Sequence, residues 1–238
     1  MTAPFTSYSP ADKPYITCHA EYDQGSEEWL QARCGLLTAS EVKLILTPTL
    51  KVANNDKTRA HVYELAAQRI TKHVEPHYVG DDMLRGHEDE VRARLAYAAK
   101  YSEVTECGFI TSNKWGFTIG YSPDGLVGDD GLIECKSRRQ KFQVQTITQG
   151  VPDEHILQLQ TGLLVTERPW MDYVSYCGGM PMAVIRVLPD PEMQDAILTA
   201  AADFEKRIAE TVAAYEDQLA SGALRWMPTE RVVEQEMF

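Results

Sequence analysis

The sequence predicts an α/β protein built around one mixed β-sheet, and three observations support this class. Helical periodicity comes first along the chain, then a run of short β-branched and aromatic segments, and then a helix, a hairpin and a final helix. The length of 238 residues suits a single domain with a sizeable core. We assign residues 1–20 to an irregular N-terminal arm, 21–222 to the domain and 223–238 to a C-terminal tail.

Four helices are predicted before the strands. Ser26 can cap a short first helix, and Thr38 and Glu41 have the spacing of a capping box for a second. A polar loop over 48–57 separates these from two longer helices, the second over 82–100. The predicted apolar faces are formed by Val62, Leu65, Ala66, Arg69 and Ile70 in the third helix and by Val91, Leu95 and Ala98 in the fourth.

Strand chemistry occupies residues 103–136, in the segments EVTECGFITS, WGFTIGYS and GLIECK, which turn residues separate. A helix over about 153–166 follows, and then two strand segments across Gly178-Gly179. A long helix after Asp190-Pro191 closes the domain and ends at Ser221-Gly222. Its apolar residues recur at helical spacing, at Ile197, Ala200, Phe204, Ile208, Val212, Tyr215 and Leu219.

The charge is acidic but unevenly distributed. Lys and Arg number 23 against 35 Asp and Glu, a formal net charge of −12. This balance argues against a protein whose whole surface binds nucleic acid or anionic membrane. Residues 190–238 hold 11 acidic and 4 basic side chains, whereas 132–141 hold one acidic and four basic side chains. An anionic partner is therefore expected at a small basic region only.

The cysteines and the chain start indicate a protein of the reducing cytosol. The five cysteines are odd in number and show no C-x-x-C spacing, which favours neither a disulfide framework nor a zinc or iron–sulfur site. The first residues lack the basic and apolar regions of a signal peptide. No window approaches about 18 uninterrupted apolar residues, so we expect a soluble intracellular protein without a membrane partner.

Asp124, Glu134 and Lys136 are the candidate catalytic residues of the sequence. A turn at 128–131 allows WGFTIGYSPDG and LIECK to pair as a hairpin, which brings Asp124 beside Glu134. Because side chains alternate along a strand, Glu134 and Lys136 lie on the same face. Two such carboxylates repel each other unless a hard cation such as Mg²⁺ holds them. A neighbouring lysine can act on an attacking water and stabilise phosphate charge. This favours metal-assisted phosphodiester hydrolysis, although the same pattern is also typical of a solvated hairpin.

SPDGL followed by GLIECK resembles the PD-(D/E)xK signature of the restriction-endonuclease-like nucleases. More narrowly, the chain resembles the phage lambda exonuclease and YqaJ-like viral recombinase family. The resemblance rests on four blocks in the same order, QGSEEWLQARCGLLTASEV (24–42), RGHEDEVRARLAY (85–97), YSPDGLVGDDGLIECKS (121–137) and HILQLQTGLLVT (155–166). It implies a restriction-endonuclease-like core, in which a central mixed sheet is flanked by helices, and a single nuclease domain over 21–222.

The resemblance also implies the catalytic roles. The metal would be bound by Glu90, Asp124, Glu134 and the backbone carbonyl of Cys135. Lys136 would act on the attacking water, and Gln158 would reach the catalytic cluster. Considered without the family, Glu90 is a solvated helix residue that pairs with Arg94 four positions later.

The same resemblance implies a binding site for a 5′-phosphate, formed by Arg33, Ser40 and Ser122. A guanidinium offers bidentate phosphate geometry, and Ser40 near a helix N-terminus lies where anions are attracted. Ser40 could equally serve only as a helix cap, and Trp29 is expected in the core. Further DNA contacts are expected from Arg138, Arg139 and Gln160.

The expected activity is that of a Mg²⁺-dependent 5′-to-3′ double-strand DNA exonuclease. It would release mononucleotides and leave a 3′ single-stranded overhang for recombination by strand annealing. The resemblance implies two Mg²⁺ ions per site with Mn²⁺ as a substitute, a processive ring-shaped homotrimer, 5′-phosphorylated duplex ends as substrate, and a single-strand annealing protein as partner. The host would be a bacterial cell, with a phage or prophage gene. The alternatives are a restriction- or repair-type endonuclease of the same fold and an inert DNA-end-binding module.

Overall fold

A computed structural model describes residues 13–75 and 81–231 of the chain. The predicted α/β class is confirmed. In these ranges the strands are β1 Ile16–His19, β2 Leu37–Thr38, β3 Phe109–Ser112, β4 Ile119–Tyr121, β5 Gly125–Val127, β6 Gly131–Ser137, β7 Trp170–Tyr176 and β8 Ala183–Val187. The helices are α1 Glu27–Arg33, a 3₁₀ helix Ala39–Leu44, α2 Asp56–Thr71, α3 Asp81–Lys100, α4 Gln140–Gln149, α5 Asp153–Thr166 and α6 Pro191–Ala220.

The strands form two mixed sheets of four strands each, where the sequence predicted one sheet. Their orders are β1-β3-β4-β2 and β5-β6-β7-β8. The chain leaves the first sheet at Tyr121 and enters the second at Gly125, because Pro123 cannot continue a ladder as a hydrogen-bond donor. WGFTIGYSPDG is therefore not one strand, and only β5 forms the predicted hairpin with β6.

Helix α6 is the element that the sequence predicted most fully. Ile197, Ala200, Phe204 and Ile208 are buried in the main core, as the spacing predicted. Tyr215 is 46% exposed, so the C-terminal part of the helix extends beyond that core. Although α6 spans 30 residues, none of the helices in the described ranges is apolar enough over a sufficient length to cross a bilayer.

The predicted buried face of α3 is wrong. Val91 and Leu95 are 47% and 67% exposed, whereas Ala93 and Tyr97 are almost fully buried. The buried face also carries Asp89, which accepts a hydrogen bond from the Ser137 hydroxyl at 2.6 Å. Hydrogen-bonded polar side chains orient this helix, so a count of apolar residues selected the wrong face.

Three further elements differ from the prediction. The helix expected after Thr38 is a short 3₁₀ helix. Helix α4 was not predicted, because it buries Gln143 and Thr146 while Val144 is 50% exposed, the reverse of an amphipathic pattern. The end of the expected irregular arm is strand β1, which pairs antiparallel with β3. Residues 1–12 of the arm and 232–238 of the tail lie outside the described residues.

Candidate active site

The β5–β6 hairpin brings the two candidate carboxylates together. Gly125 pairs with Ile133, so Asp124 and Glu134 lie at the same end of the hairpin. The backbone N–H of Cys135 donates to Asp124 Oδ2 at 2.6 Å. Both carboxylates are buried, with exposed fractions of 8% and 1%. Two acidic groups are thus held inside the protein, where ionisation is costly without compensation.

Three side chains donate hydrogen bonds to Glu134. Tyr121 Oη donates to Oε2 at 2.8 Å, while Lys136 Nζ and Gln158 Nε2 each donate to Oε1 at 2.6 Å. Helix α5 presents Gln158 and approaches the sheet closely at Gly162, where an added Cβ would lie 2.8 Å from the Tyr121 ring. The close packing of α5 therefore places both the amide and the phenol donor beside Glu134.

The electrostatics of the site favour neutralisation of its acids. Burial, and then the charges of Glu134 and Glu90, raise the pKa of Asp124 well above its ordinary value. Burial also raises the pKa of Glu90, although Arg94 and His87 oppose this effect. A cation placed between these groups would relieve the repulsion.

Lys136 is held as a cation. Burial alone would lower its pKa, but the charges of Glu134 and Asp124 outweigh that effect and raise the pKa above the ordinary value. In this arrangement Lys136 can donate hydrogen bonds and stabilise negative charge.

The donor atoms fit a hard divalent cation. Asp124 and Glu134 provide carboxylate oxygens, and the Cys135 carbonyl faces the same strand edge as its N–H, which bonds Asp124. Mg²⁺ is commonly bound by one or two carboxylates and retains several waters. Within residues 13–75 and 81–231, no group of three or more His, Cys, Asp or Glu side chains is arranged to hold an ion. Glu90, the fourth predicted ligand, also forms an ion pair, with its Oε1 3.6 Å from Arg94 Nη1.

Arg33 and Ser122, two of the predicted phosphate ligands, are in direct contact. Arg33 Nη1 donates to Ser122 Oγ at 3.2 Å, and the guanidinium lies 4.2 Å from the Trp29 ring centroid. The Trp29 indole N–H also donates to Ser122 Oγ at 2.9 Å and to the Gly108 carbonyl at 3.1 Å. The tryptophan therefore aligns the two predicted phosphate ligands, and is more than the core residue that we expected.

Ser40 lies beside this pair and does not cap its helix. Thr38 is the N-cap residue of the 3₁₀ helix, and the Glu41 carboxylate accepts from both its backbone N–H and its hydroxyl. The Ser40 side chain is exposed, with its hydroxyl 3.3 Å from Thr38 Oγ1. Ser40 is thus available to an anion at the entrance of the site.

One cavity of about 190 Å³ joins the predicted phosphate-binding and catalytic residues. Glu90 lies outside it, in an adjoining cavity of about 230 Å³. The smaller cavity is lined by Gln24, Trp29, Arg33, Thr38, Ala39, Ser40, Tyr121, Ser122, Asp124, Glu134, Lys136 and Gln158. The spacing of Trp29 and Arg33 on one face of α1 could have indicated their shared role, whereas nothing in the sequence marks Gln24.

Two predicted DNA-binding residues have other partners. The amide of Gln160 donates to the Leu188 carbonyl and accepts from the Asp190 N–H, both at 2.8 Å, which fixes the start of α6. The Arg138 side chain is 8% exposed and lies 3.2 Å from Glu154. Both side chains thus have partners within the protein, and their contact with DNA stays a prediction. Arg139 is exposed at the start of α4, where contact with DNA stays a prediction.

Comparison with known proteins decides the family. The family model described as the YqaJ-like viral recombinase domain matches residues 28–169, more than half of the chain. The chain belongs to the YqaJ-like viral recombinase family. The resemblance seen in the sequence is therefore confirmed. Among curated proteins, no sequence matches the chain.

Solved structures of exonucleases are similar to this family member. The alkaline exonuclease LHK-Exo from Laribacter hongkongensis is 32% identical, with a TM-score of 0.74, and the match covers 83% of this chain and 100% of that chain. LHK-Exo in complex with dAMP matches at 33% identity, the same coverages and a TM-score of 0.75. A phage-related exonuclease from Haemophilus somnus 129PT, 14% identical over 79% of this chain and 96% of that chain, shares the fold with a TM-score of 0.54. Together, the family and the two LHK-Exo structures support a nuclease role.

Proposed function

We propose that this protein is a Mg²⁺-dependent 5′-to-3′ exonuclease of double-stranded DNA. It degrades the 5′-ended strand to mononucleotides and leaves a 3′ single-stranded overhang for recombination by strand annealing. The observation that carries the proposal is the single cavity in which Arg33 and Ser122 lie with Asp124, Glu134 and Lys136. A terminal phosphate and a scissile phosphate can thus be bound in one small space.

The chain's own residues divide the work of the reaction. Arg33, Ser40 and Ser122 bind the terminal 5′-phosphate through charged and neutral hydrogen bonds. Asp124, Glu134 and the Cys135 carbonyl hold the metal, with Glu90 as a further ligand from α3. Bound Mg²⁺ supplies charge stabilisation at the scissile phosphate and activates water at neutral pH.

Lys136 and Gln158 act through the hydrogen bonds that they already make to Glu134. The protonated lysine orients the attacking water and stabilises charge on the phosphate. The Gln158 amide would hold the Glu134 carboxylate in a fixed orientation. Such positioned donors lower the reorganisation that the transition state requires.

The size of the cavity supports attack at a strand end. A volume of about 190 Å³ has room for a terminal nucleotide's phosphates but not for a duplex. In this proposal the strand enters by its 5′ end, because Arg33, Ser40 and Ser122 would bind the terminal phosphate there, and each cut releases one nucleotide. LHK-Exo forms a complex with dAMP, a molecule of the chemical class that this reaction would release.

The proposal extends to assembly and partners. We expect a processive, ring-shaped homotrimer that encircles 5′-phosphorylated duplex ends, two Mg²⁺ ions per site, and Mn²⁺ as a substitute. Its setting would be the cytoplasm of a bacterial host that carries the phage or prophage. A single-strand annealing protein would bind the acidic C-terminal helix or surface. Loss of that binding on removal of residues 223–238 supports docking at the tail, and retained binding excludes the tail.

Digestion of a linear duplex, labelled separately at each 5′ and 3′ end, tests the activity. With Mg²⁺, the 5′ label should appear first as mononucleotide while the 3′-ended strand persists, and a chelator should abolish release. Asp124→Ala should be inactive under the same conditions. Release from the 3′ end first, or unchanged hydrolysis by Asp124→Ala, would contradict the proposal. Covalently closed circular DNA should stay intact, and its nicking would favour the endonuclease instead.

A further inference from the structure

Cys18 and Cys107 form a thiol pair at the edge of the first sheet, apart from the carboxylate site. Cys18 lies on the outer strand β1 and is exposed, whereas Cys107, just before β3, is 3% exposed. Their Sγ atoms are 2.9 Å apart, and both residues are free thiols. A disulfide bond is about 2.05 Å long, so less than 1 Å of sulfur movement would be needed to form one.

The two thiols differ in character. The hydrogen bond between the two thiols, in which either sulfur can be the donor, lowers the pKa of Cys18 to about 7; burial and Glu21 oppose this effect, and Arg168 adds to it. The same hydrogen bond and burial raise the pKa of Cys107. Cys18 is therefore the exposed, ionisable member that a solution reagent meets first, and Cys107 is the protected member behind it.

We propose that Cys18 and Cys107 are a thiol–disulfide exchange site for low-molecular-weight disulfides. The Cys18 thiolate attacks one sulfur of the reagent, forms a mixed disulfide and releases one reagent thiolate. Cys107, after losing its proton to solvent, then attacks Cys18 Sγ and releases the second reagent thiolate. The two protein thiols are oxidised to one disulfide, the reagent is reduced to two thiols, and the two protons lost by the cysteines protonate them.

The disulfide would tether β1 to a wall of the second cavity. Cys107 lines that cavity, and the next residue, Gly108, accepts the Trp29 indole hydrogen bond. Gly108 also lies against the Tyr22 backbone so closely that an added Cβ would be 1.8 Å from the Tyr22 carbonyl oxygen. The chemistry would therefore fix the N-terminal strand to a tightly packed segment without involving the carboxylates.

Oxidation of the full-length protein with glutathione disulfide at pH 8 tests the site. After alkylation and digestion without reductant, mass spectrometry should find one peptide pair that joins Cys18 to Cys107. Cys34→Ser is the matched control and should form the same pair. Cys18→Ser and Cys107→Ser should not, and Cys107→Ser should retain glutathione on Cys18.

Thermal unfolding gives a second measurement that needs no variant. The oxidised parent should unfold at a higher temperature than the reduced parent, and dithiothreitol should reverse the shift. A stable glutathione adduct on Cys18 of the folded parent, without the crosslink, would overturn the proposal. A crosslink from Cys18 to Cys34, Cys135 or Cys177 would overturn it as well.

Discussion

Asp124 is an acid whose surroundings oppose its charge. Burial, with Glu134 and Glu90, raises its pKa, so the folded state holds a proton that the unfolded state releases at lower pH. The stability that this proton contributes is present below the unfolded pKa and is lost as pH rises through the folded pKa. Raising the pH therefore lowers the stability of the metal-free protein through this group of the candidate active site.

We predict that Asp124→Asn raises the thermal midpoint of the metal-free protein at pH 7.5, by about 2–4 °C for each kcal/mol gained. The variant should be inactive, and Mg²⁺ should shift its midpoint less than that of the parent. Near pH 4 the advantage should shrink, because Asp124 of the unfolded parent, with an ordinary pKa of about 3.9, is then partly protonated as well. Thermal unfolding with chelator at both pH values measures this. A lower midpoint for the variant at pH 7.5 would argue against the buried charge.

Arg33→Ala should remove the preference for 5′-phosphorylated over 5′-hydroxyl ends. Loss of a charged hydrogen bond should cost roughly 1.5–3 kcal/mol in discrimination, or about ten- to a hundredfold. Initial digestion rates on the two substrates measure it. Arg92→Ala is the matched control, since Arg92 is 59% exposed on α3 and pairs with Glu88. If Arg33→Ala and its parent discriminate equally, the pocket assignment fails.

Helix α5 carries two glutamines with different partners, one at the candidate active site and one at a structural contact. Gln158 faces Glu134, whereas Gln160, about 200° further around the helix, faces the loop before α6. The helix and its bounds could be predicted from spacing, and so could the divergence of the two amides. Their partners could not, because Leu188 and Asp190 meet Gln160 only in the folded chain.

Gln158→Ala should lower the digestion rate while it leaves the thermal midpoint close to that of the parent. Gln160→Ala should do the reverse, with a loss of about 1–3 kcal/mol of stability from the two hydrogen bonds that its amide makes to Leu188 and Asp190. Chemical denaturation and initial rates, measured on both variants, test the pair. Equal loss of activity in the two would mean that Gln160 has a role in the site that its contacts do not show.

Helix α3 marks the limit of prediction from spacing at this scale. Its existence and length followed from the pattern, but its orientation depends on Asp89 and on Tyr97, whose hydroxyl donates to Asp172 at 2.7 Å. These are polar partners from distant strands. An analysis of apolar periodicity assigns such residues to the solvent-facing side, and it therefore predicted the wrong buried face for this helix.

Over the whole molecule, the local pairing of strands could be predicted but the division into two sheets could not. The hairpins β5–β6 and β7–β8 follow from turn residues and β-branched segments. The parallel pairing of β6 with β7 joins residues more than thirty positions apart and leaves no local signal. The carboxylate pair was predictable because it lies on one local hairpin. The cavity that includes Trp29 and Gln24 was not predictable, because it is formed by residues far apart in the sequence.

The distribution of charge over the molecule leads to a prediction about salt. With a net charge of −12, DNA contact should be confined to few phosphates, and exposed Arg139 should be one of the contacts. Arg139→Ala should weaken binding to phosphorylated and hydroxyl ends equally, and reduce the slope of log K against log salt by about 0.9. Binding titrations over a range of salt concentrations measure both. An unchanged slope would remove Arg139 from the contact surface.

The short link between the two sheets has a metric consequence for the proposed reaction. Ser122, in the proposed phosphate pocket, and Asp124, a proposed metal ligand, are separated only by Pro123. Two residues of extended chain span at most about 7 Å, and proline restricts how far that span can change. This link would then fix the distance between the phosphate pocket and the metal site at about one nucleotide. The number of nucleotides removed per cut would therefore be set by the protein backbone and not by the identity of the base. A glycine inserted beside Pro123 should make that distance variable, so that the released products are of mixed length.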